Sequence, residues 1–357
     1  MSAGLTTGAL PDLGPEEPPG ARRAGARAAL LERTLAEVER VVVGQDRLVE
    51  RLLVGLLARG HCLLEGAPGV AKTLAARTLA DVIGGRFARL RLTPDLVPAD
   101  VVGTRVRRPS GEGFETEPGP LFAHLVLADD IELAPAKVRS ALLEAMDDGQ
   151  ATIAGTAHPL PSPFLVLATR NPLGPDGGGR PLSEAQRDRF LMKLVVDHPA
   201  PLDELTILRR RTGARPPRAA AVLDPGLVAE LQAAADDVFV HDAVAEYIVR
   251  LVHATRDPAA YGLTAVARLL EYGAGPRATL GLAAAGRALA VLRGRDYLLP
   301  GDVADVATDV LAHRLVPTPA ALAGGHDPRA VAGWVLEGVP RPEIVPSGTG
   351  PWPGPPS

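Results

Sequence analysis

A glycine-rich turn separates an apolar run from an amphipathic segment in "LLEGAPGVAKTLAARTLA", residues 63–80. The spacing matches the pattern G-x-x-x-x-[G]-K-[ST] at Gly66, Lys72 and Thr73, with Ala71 where the second glycine usually stands. In such a turn the backbone N–H groups face an anion, the lysine reaches the β- and γ-phosphates, and the hydroxyl can ligate Mg²⁺. The stretch therefore predicts a phosphate-binding loop. The alternative is an ordinary strand-turn-helix with a solvated lysine.

The predicted phosphate contacts extend over the whole turn. Lysine is scarce in this chain, with three residues against 35 arginines, so a lysine at this position favours a functional interpretation. We expect Ala71 to be tolerated, because a residue at a helix N-terminus needs only a negative φ. The residues predicted to hold the nucleotide are Gly66, Ala67, Pro68, Gly69, Val70, Ala71, Lys72, Thr73 and Leu74.

Polar side chains follow two further apolar runs. The run "LVLADD" ends in Asp129 and Asp130, and an acid in this place holds Mg²⁺ in nucleoside triphosphatases. Asp129 is the candidate magnesium ligand together with Thr73, and Asp130 is either a catalytic base or a cap of the next helix. The run "FLVLATRNP" places Asn171 where its amide could orient a water near the γ-phosphate, unless it only forms an Asn-Pro turn.

Composition limits the classes of function. The chain has 357 residues and is 46% hydrophobic, enough for one large core and a smaller unit. A net charge of −4 gives no electrostatic reason to expect nucleic acid or an anionic membrane as a partner. A single cysteine excludes an intramolecular disulfide and favours a reducing cytoplasm. No signal peptide or membrane-spanning run is recognisable, so we expect a cytoplasmic protein.

Five short apolar runs position these residues: "HCLLEG", "FARLRL", "AHLVLADD", "FLVLATR" and "MKLVVD". Helix-length segments separate them, which predicts a five-stranded parallel sheet buried on both faces. The glycine-rich "GPDGGGR" at 174–180 is a predicted flexible loop in this domain. The predicted units are a disordered tail over 1–28, an α/β domain over 29–200, a linker over 201–218, a helical domain over 219–318 and a largely irregular extension over 319–357.

Several motifs in this order resemble the MoxR family of AAA+ ATPases. They are "HCLLEGAPGVAKT", "TPDLVPADVVGT", "PGPLFAHLVLADDIELAPAKVRSALLEAMDDGQ", "FLVLATRNP" and "LSEAQRDRF". The likeness continues through "GAGPRA" and "GRDYLLPGDV" and covers about residues 35–318. It implies an AAA+ P-loop core with an all-helical C-terminal lid.

The resemblance also implies an activity and partners. Such proteins bind ATP and Mg²⁺ at the interfaces of a ring, usually a hexamer, and act as chaperone-like remodelling ATPases on proteins with von Willebrand factor A domains. Matching positions assign the Walker A loop to Gly66, Gly69, Lys72 and Thr73, the magnesium acid to Asp129, sensor 1 to Asn171, the arginine finger to Arg189 and sensor 2, from the lid of the same subunit, to Arg277.

Both arginines have simpler interpretations in a chain so rich in arginine. Arg189 could be a surface ion-pair residue, and Arg277 could simply begin a helix. The segments "LRLTPDLVPADVVGT" and "GFETEPGPLF" resemble an insert that lies toward the pore in relatives, and a surface hairpin is the alternative.

The chain departs from the family pattern on the hydrolytic side. Relatives typically read Asp-Glu-Ile-Asn-Arg over the five positions from Asp129 to Leu133, where this chain reads "DDIEL", and they have Gln at Arg170. An aspartate at 130 is one methylene shorter than glutamate, which withdraws the carboxylate by about 1 Å and predicts slow hydrolysis. A nucleotide-gated scaffold without useful turnover is the alternative, and a metal-chelatase motor subunit is ranked last.

Overall fold

The computed structural model describes residues 19–108, 113–171, 180–212 and 217–343. The predicted C-terminal irregular segment beyond 343, the first 18 residues of the predicted tail and nearly all of the glycine-rich loop at 174–180 lie outside these ranges.

Eleven strands occur in the described residues: β1 (Cys62–Glu65), β2 (Phe87–Arg91), β3 (Gly103–Arg107), β4 (Phe114–Pro118), β5 (Leu125–Asp129), β6 (Gln150–Ile153), β7 (Thr156–Pro159), β8 (Leu165–Arg170), β9 (Met192–Val195), β10 (Leu270–Tyr272) and β11 (Val316–Pro317). The described α-helices are α1 (Pro19–Glu39), α2 (Asp46–Leu57), α3 (Lys72–Val82), α4 (Pro98–Val102), α5 (Ala136–Asp148), α6 (Glu184–Arg187), α7 (Pro201–Thr212), α8 (Pro225–Asp236), α9 (Asp242–Arg256), α10 (Thr264–Ala267), α11 (Pro276–Leu292), α12 (Pro300–Leu311), α13 (Pro319–Ala323) and α14 (Pro328–Gly338).

The central sheet has the strand order β2-β5-β8-β1-β9, and every neighbouring pair is parallel. This confirms the predicted five-stranded parallel sheet. Successive residues of a strand point to opposite faces, so Leu63 and Leu64 enter two different hydrophobic clusters, and both are fully buried. Burial on both faces fixes the register, and with it the polar residues at which the strands end.

Two antiparallel hairpins project from the α/β domain. One pairs β3 with β4 and contains the segment "GFETEP", which the sequence predicted as an insert or surface hairpin. The other pairs β6 with β7 and was missed. Its turn residues Ala154 and Gly155 both have positive φ, at 49° and 84°, as the tight turns of two-residue hairpins require.

The helical domain packs on the α/β domain through a shared hydrophobic cluster. The side-chain amide of Gln232 in α8 donates to the Leu56 carbonyl of α2 at 2.7 Å, and Gln232 is buried. The helical domain also contains a short antiparallel sheet of β10 and β11, which was not expected from the sequence. The α/β core with a helical C-terminal region is otherwise the predicted fold.

Three expected boundaries differ from the structure. Helix α1 begins at Pro19, inside the predicted tail, because its alanines and arginines favour helix and Leu31 is buried against the core. Helix α7 occupies most of the predicted linker over 201–218. Helix α14 lies in the predicted irregular extension, where Val331 and Val335 are fully buried at helical spacing.

In the described part of the chain, no helix combines the length and the apolar character needed to cross a membrane.

Candidate functional site

The glycine-rich turn joins the carboxyl end of β1 to the first residue of α3, Lys72. The Lys72 ammonium donates to the carbonyl oxygens of Gly66 and Ala67, the latter at 3.3 Å. Partial burial lowers the pKa of Lys72, and the carboxylates of Asp130, Asp129 and Glu65 oppose that shift. The turn thus wraps around one amino group that faces nearby acids.

Two glycines of the turn are required for different reasons. A Cβ on Gly66 would lie 2.4 Å from the Val196 carbonyl oxygen, so only glycine fits against β9's end. Gly69 has open space around its Cβ position but a φ of +90°, which favours glycine by conformation alone. The open space at Gly69 leaves room for an anion to approach the backbone of the turn.

Ala71 does not have the negative φ expected from the sequence. Its φ is 67° and its ψ is 14°, in the left-handed region, which costs a non-glycine residue about 1–2 kcal/mol. Ala71 is the residue immediately before α3, where the chain passes from the turn into the helix. The alanine in place of the usual second glycine therefore introduces backbone strain, which was not expected from the sequence.

The two acids at the end of β5 have different surroundings. Asp129 is 7% exposed, and its carboxylate contacts the Arg89 guanidinium at 2.5 Å and accepts from the Thr169 hydroxyl at 3.3 Å. Asp130 is exposed and has a left-handed backbone with a φ of 58°, and its N–H donates to the same hydroxyl at 2.9 Å. Thr169 therefore connects both acids.

Asp130 does not cap the following helix. The short 3-10 turn at Ile131–Leu133 receives no side-chain bond from it, and α5 begins only at Ala136. Asparagine and aspartate are the non-glycine residues that tolerate the left-handed region best, and strained residues cluster at functional sites. The geometry does not support the helix-cap alternative, and the catalytic role of Asp130 stays a prediction.

Two of the departures from the family pattern contact each other. Arg170 lies at the end of β8, with Nε 2.8 Å from a Glu132 carboxylate oxygen and a terminal nitrogen 3.2 Å from Glu65. Lys193 adds a contact of 2.9 Å to the other Glu65 oxygen. Glu132 is 6% exposed, and a buried carboxylate needs such a partner. The changes at 132 and 170 are thus a matched pair rather than two independent losses.

Asn171 directly follows β8, the strand beside β1. The ladder between the two strands continues past their ends, because the Gly66 N–H donates to the Arg170 carbonyl at 3.4 Å. This brings Asn171 to the same edge of the sheet as the phosphate loop and the two acids.

A cavity next to the loop was missed from the sequence. This open cavity has a volume of about 200 Å³. Two of its lining residues, Asp197 and His198, directly follow Val196, whose carbonyl oxygen lies against Gly66 of the loop. The Gln45 amide closes one side by donating to the Asp197 carbonyl at 2.9 Å. The sequence feature that could have indicated this cavity is the glycine of "VVVGQD", because Gly44 permits the positive φ of 69° found there. Further lining residues are Asp46, Arg47, Arg51, Leu194 and Asp309.

The oxygen donors suit Mg²⁺. This ion is bound by one or two carboxylates, a hydroxyl and substrate phosphates rather than by a complete protein cage. Thr73 is the second residue of α3, directly after Lys72, and Asp129 ends β5 at the same edge. In the described residues no three His, Cys, Asp or Glu side chains form a metal cluster. Ligation by Asp129 would exchange its contact with Arg89 for a metal bond.

The two predicted catalytic arginines lie at the opposite, amino edge of the sheet. Arg189 precedes β9, and its guanidinium is 2.8 Å from an Asp147 carboxylate oxygen near the end of α5. Arg277, at the start of α11, is 3.4 Å from the same oxygen. This end of α5 lies at the start of β1, because His61, just before β1, contacts the Met146 carbonyl at 3.0 Å.

One chain therefore does not bring all the predicted site residues together. The four residues of β1 separate the two edges by about 13 Å at 3.3 Å per residue. The expectation that Arg277 serves the nucleotide of its own subunit does not agree with this position, because its contact is with Asp147 at the far edge. Arg189 is in an ion pair, as its simpler interpretation required, and it lies beside the second arginine.

The chain matches two family models. The first, described as "ATPase family associated with various cellular activities (AAA)", covers residues 61–192. The second, described as "AAA lid domain", covers residues 262–331. Together they span the phosphate loop, both acids, the predicted finger and most of the helical domain.

Similar proteins extend over nearly the whole chain. Chaperone MoxR1 of Mycobacterium tuberculosis is 52% identical over 330 residues, which are 92% of this chain and 87% of that protein. Protein MoxR of Paracoccus denitrificans is 32% identical, over 83% of this chain and 90% of that protein. A crystal structure from Cytophaga hutchinsonii, itself named only as a candidate ATPase, has a TM-score of 0.85 and 39% identity, over 90% of this chain and 98% of that one.

Proposed function

The chain belongs to the MoxR family of AAA+ ATPases, and from this premise we propose that it binds ATP with Mg²⁺ and hydrolyses it slowly in a head-to-tail ring. The observation that carries the proposal is the division of the site: the phosphate loop and acids lie at one edge of the sheet, and the arginines lie at the other. An interface between two copies would join the two edges.

The carboxyl edge would bind the nucleotide. Loop residues 66–74 would surround the phosphates with backbone N–H groups, and Lys72 would exchange its two carbonyl contacts for phosphate oxygens. Thr73 and Asp129 would hold Mg²⁺, which supplies charge neutralisation at the β- and γ-phosphates. The cavity lined by Gly44 and Gln45 would accept the nucleobase, since its lining residues Asp197 and His198 follow Val196, whose carbonyl oxygen lies against Gly66.

Hydrolysis needs a water placed opposite the leaving group. The water oxygen attacks the γ-phosphorus, the bond to the β,γ-bridging oxygen breaks, and the water proton passes to the Asp130 carboxylate. Asn171 would orient that water. Because Asp130 is about 1 Å short of the reach of a glutamate, the expected turnover is slow. The intact ion pair of Glu132 with Arg170 favours slow turnover over none, because it holds the turn that carries Asp130.

The amino edge would complete the site of a neighbouring copy. Arg189 would act as the finger that stabilises charge on the transferred phosphoryl group, and Arg277 beside it would act on the same nucleotide. Exposed leucines at both ends of the molecule agree with an interface. Leu202 and Leu208 on α7 are 78% and 58% exposed, and Leu280, one turn after Arg277, is 71% exposed. Different surfaces on the two sides suit a closed ring, in this family a hexamer.

The cellular role follows from the family. The name Chaperone MoxR1 of a relative supports a chaperone-like remodelling or maturation function for this chain in the cytoplasm. The resemblance supports a protein client with a von Willebrand factor A domain. The net charge of −4 gives no support for a nucleic-acid partner. Co-sedimentation of the purified chain with such a client, with and without ATP, tests this part.

A nucleotide-gated scaffold is the second candidate, and the shortened side chain of Asp130 is the observation that favours it. A metal-chelatase motor subunit, a class that shares the β3–β4 insert and also works with von Willebrand factor A partners, ranks last. Phosphate release and nucleotide affinity, measured over a range of protein concentrations, separate the first two. The ATPase predicts slow release per subunit that rises as subunits assemble. The scaffold predicts ATP-dependent assembly with no release, and this result would replace the first proposal.

A further inference from the structure

Three elements from two domains meet at Asp147. The residue lies near the end of α5, Arg189 precedes β9 in the same domain, and Arg277 begins α11 in the helical domain. Both guanidinium groups contact the same carboxylate oxygen, at 2.8 Å and 3.4 Å. The same nitrogen of Arg189 also donates to the Leu143 carbonyl one turn earlier in α5, at 3.1 Å. Asp147 therefore links the two domains through Arg277, which is 130 residues away in sequence, and also contacts Arg189 of its own domain.

The carboxylate holds together two groups that repel each other. Arg189 and Arg277 carry like charges, and without an anion between them their guanidinium groups would separate into different rotamers. Each long side chain loses rotational freedom when it is fixed in one place. The side chains are 34%, 50% and 28% exposed for Arg189, Arg277 and Asp147, so solvent screens the contact and its contribution to folding is small. Its effect is on where the arginines point.

The neighbouring acid does not share this role. Asp148 is the next residue and lines the same surface cavity as Arg189, yet within the described ranges it forms no ion pair with either arginine. The contact is thus specific to one carboxylate of an acidic helix end, and Asp148 provides a matched control.

We propose that Asp147 is a positioning residue that holds Arg189 and Arg277 side by side as one two-arginine site for the terminal phosphates of a nucleotide bound to a second copy of this chain. The proposal rests on the proposed function and adds a residue that does not touch the nucleotide. An anion of phosphate size contacts both guanidinium groups only if they are already adjacent. Arranging them before the nucleotide-bearing edge arrives lowers the cost of completing the site.

The test compares Asp147→Ala, Asp147→Glu and Asp148→Ala in the full-length chain. Fluorescent-nucleotide titration gives the affinity of each chain's own phosphate loop, thermal unfolding gives stability, and phosphate release at saturating ATP on assembled protein gives kcat. We expect Asp147→Ala to lower kcat by about 10- to 100-fold, the loss that accompanies a displacement of about 1 Å in a transition-state contact. Affinity and unfolding temperature should stay at the wild-type values.

Two variants distinguish positioning from a general structural role. Asp147→Glu restores the charge and should recover part of kcat, and Asp148→Ala should leave kcat unchanged. Mixing Asp147→Ala with Lys72→Ala should restore part of the lost turnover, because Lys72→Ala subunits offer well-positioned arginines to the intact loop of their neighbours.

Three results would overturn the proposal. They are an unchanged or raised kcat in Asp147→Ala, a loss of kcat that accompanies lower affinity or unfolding temperature, or equal effects of Asp147→Ala and Asp148→Ala. Arg189→Ala distinguishes failure of the positioning role of Asp147 from failure of the proposed function. If Arg189→Ala abolishes turnover and Asp147→Ala does not change it, only the positioning role fails. If Arg189→Ala itself turns over at the wild-type rate, the proposed function fails as well.

Discussion

The two edges of the central sheet hold their charged residues in different ways. At the carboxyl edge Lys72 is held by backbone carbonyls, and Glu132 is buried against Arg170. At the amino edge Arg189 and Arg277 are partly exposed and share one surface carboxylate. The first edge holds the residues that we propose bind the phosphates of a nucleotide. The second holds the two arginines that we propose act on a nucleotide bound to a neighbouring copy. Under this proposal, neither edge forms the complete site.

Removal of Lys72 should affect the carboxyl edge most strongly. Lys72→Ala deletes the cation that faces the phosphates, so we expect ATP affinity to fall by at least about 100-fold, measured by fluorescent-nucleotide titration. Lys137→Ala, an exposed lysine on α5, is the control and should bind like wild type. An unchanged affinity in Lys72→Ala would show that the turn does not bind phosphate.

The buried ion pair should dominate the stability of this edge. Arg170→Gln leaves Glu132 buried without its partner, which we expect to lower the free energy of unfolding by about 3 kcal/mol, measured by urea denaturation. Adding Glu132→Asn removes the uncompensated charge and should recover most of the loss. If the two changes are instead additive, the pair does not act as a unit, and the carboxyl edge is no more tightly held than the amino edge.

The reach of Asp130 should set the rate at the carboxyl edge. Asp130→Glu extends the carboxylate toward the γ-phosphate, so single-turnover hydrolysis at saturating ATP should rise by about tenfold with affinity unchanged. Asp130→Asn keeps the shape but cannot accept a proton and should stop turnover. If Asp130→Glu hydrolyses ATP no faster than the wild type, the reach of Asp130 does not limit the rate, and the limit lies instead at Glu132, Leu133 or Arg170.

The strain at Ala71 should give the smallest effect. Ala71→Gly removes the left-handed cost of about 1–2 kcal/mol but adds backbone entropy of the unfolded chain, about 0.5–1 kcal/mol. We expect the free energy of unfolding to rise by about 0.5 kcal/mol in urea denaturation, with ATP affinity retained. A lower free energy of unfolding in Ala71→Gly would contradict this prediction, because it would mean that residue 71 is not strained in solution.

The sequence was informative wherever the determinants were local. The phosphate loop follows from a strand, a turn and a helix within eighteen residues, and β5 and β8 could be located by their apolar runs. Asp129, Asp130 and Asn171 then followed, because the carboxyl ends of parallel strands meet at one edge of a sheet.

The remaining features depend on contacts between distant segments. Arg277 meets Asp147 from 130 residues away, so its position at the amino edge has no local signal. The contact between Glu132 and Arg170 likewise has no local signal. In the sequence they are two separate departures from the family pattern, and in the structure they form one ion pair. The left-handed φ of Ala71 was missed because the residue types indicate the start of the helix and not the turn of the chain before it. The β6–β7 hairpin carried a signal in its Ala-Gly turn, but its strands are too short to show a clear period.

Subunit complementation tests the division of the site between two copies most directly. Arg189→Ala and Lys72→Ala each remove one edge, so each variant alone should release almost no phosphate, and only the Arg189→Ala chain should still bind ATP. When the two are mixed in equal amounts, some interfaces join an intact loop to an intact arginine, and phosphate release should return to a fraction of the wild-type rate. A mixture with no more activity than the separate variants, together with a wild-type rate per subunit that does not depend on protein concentration, would show that one chain carries the whole site.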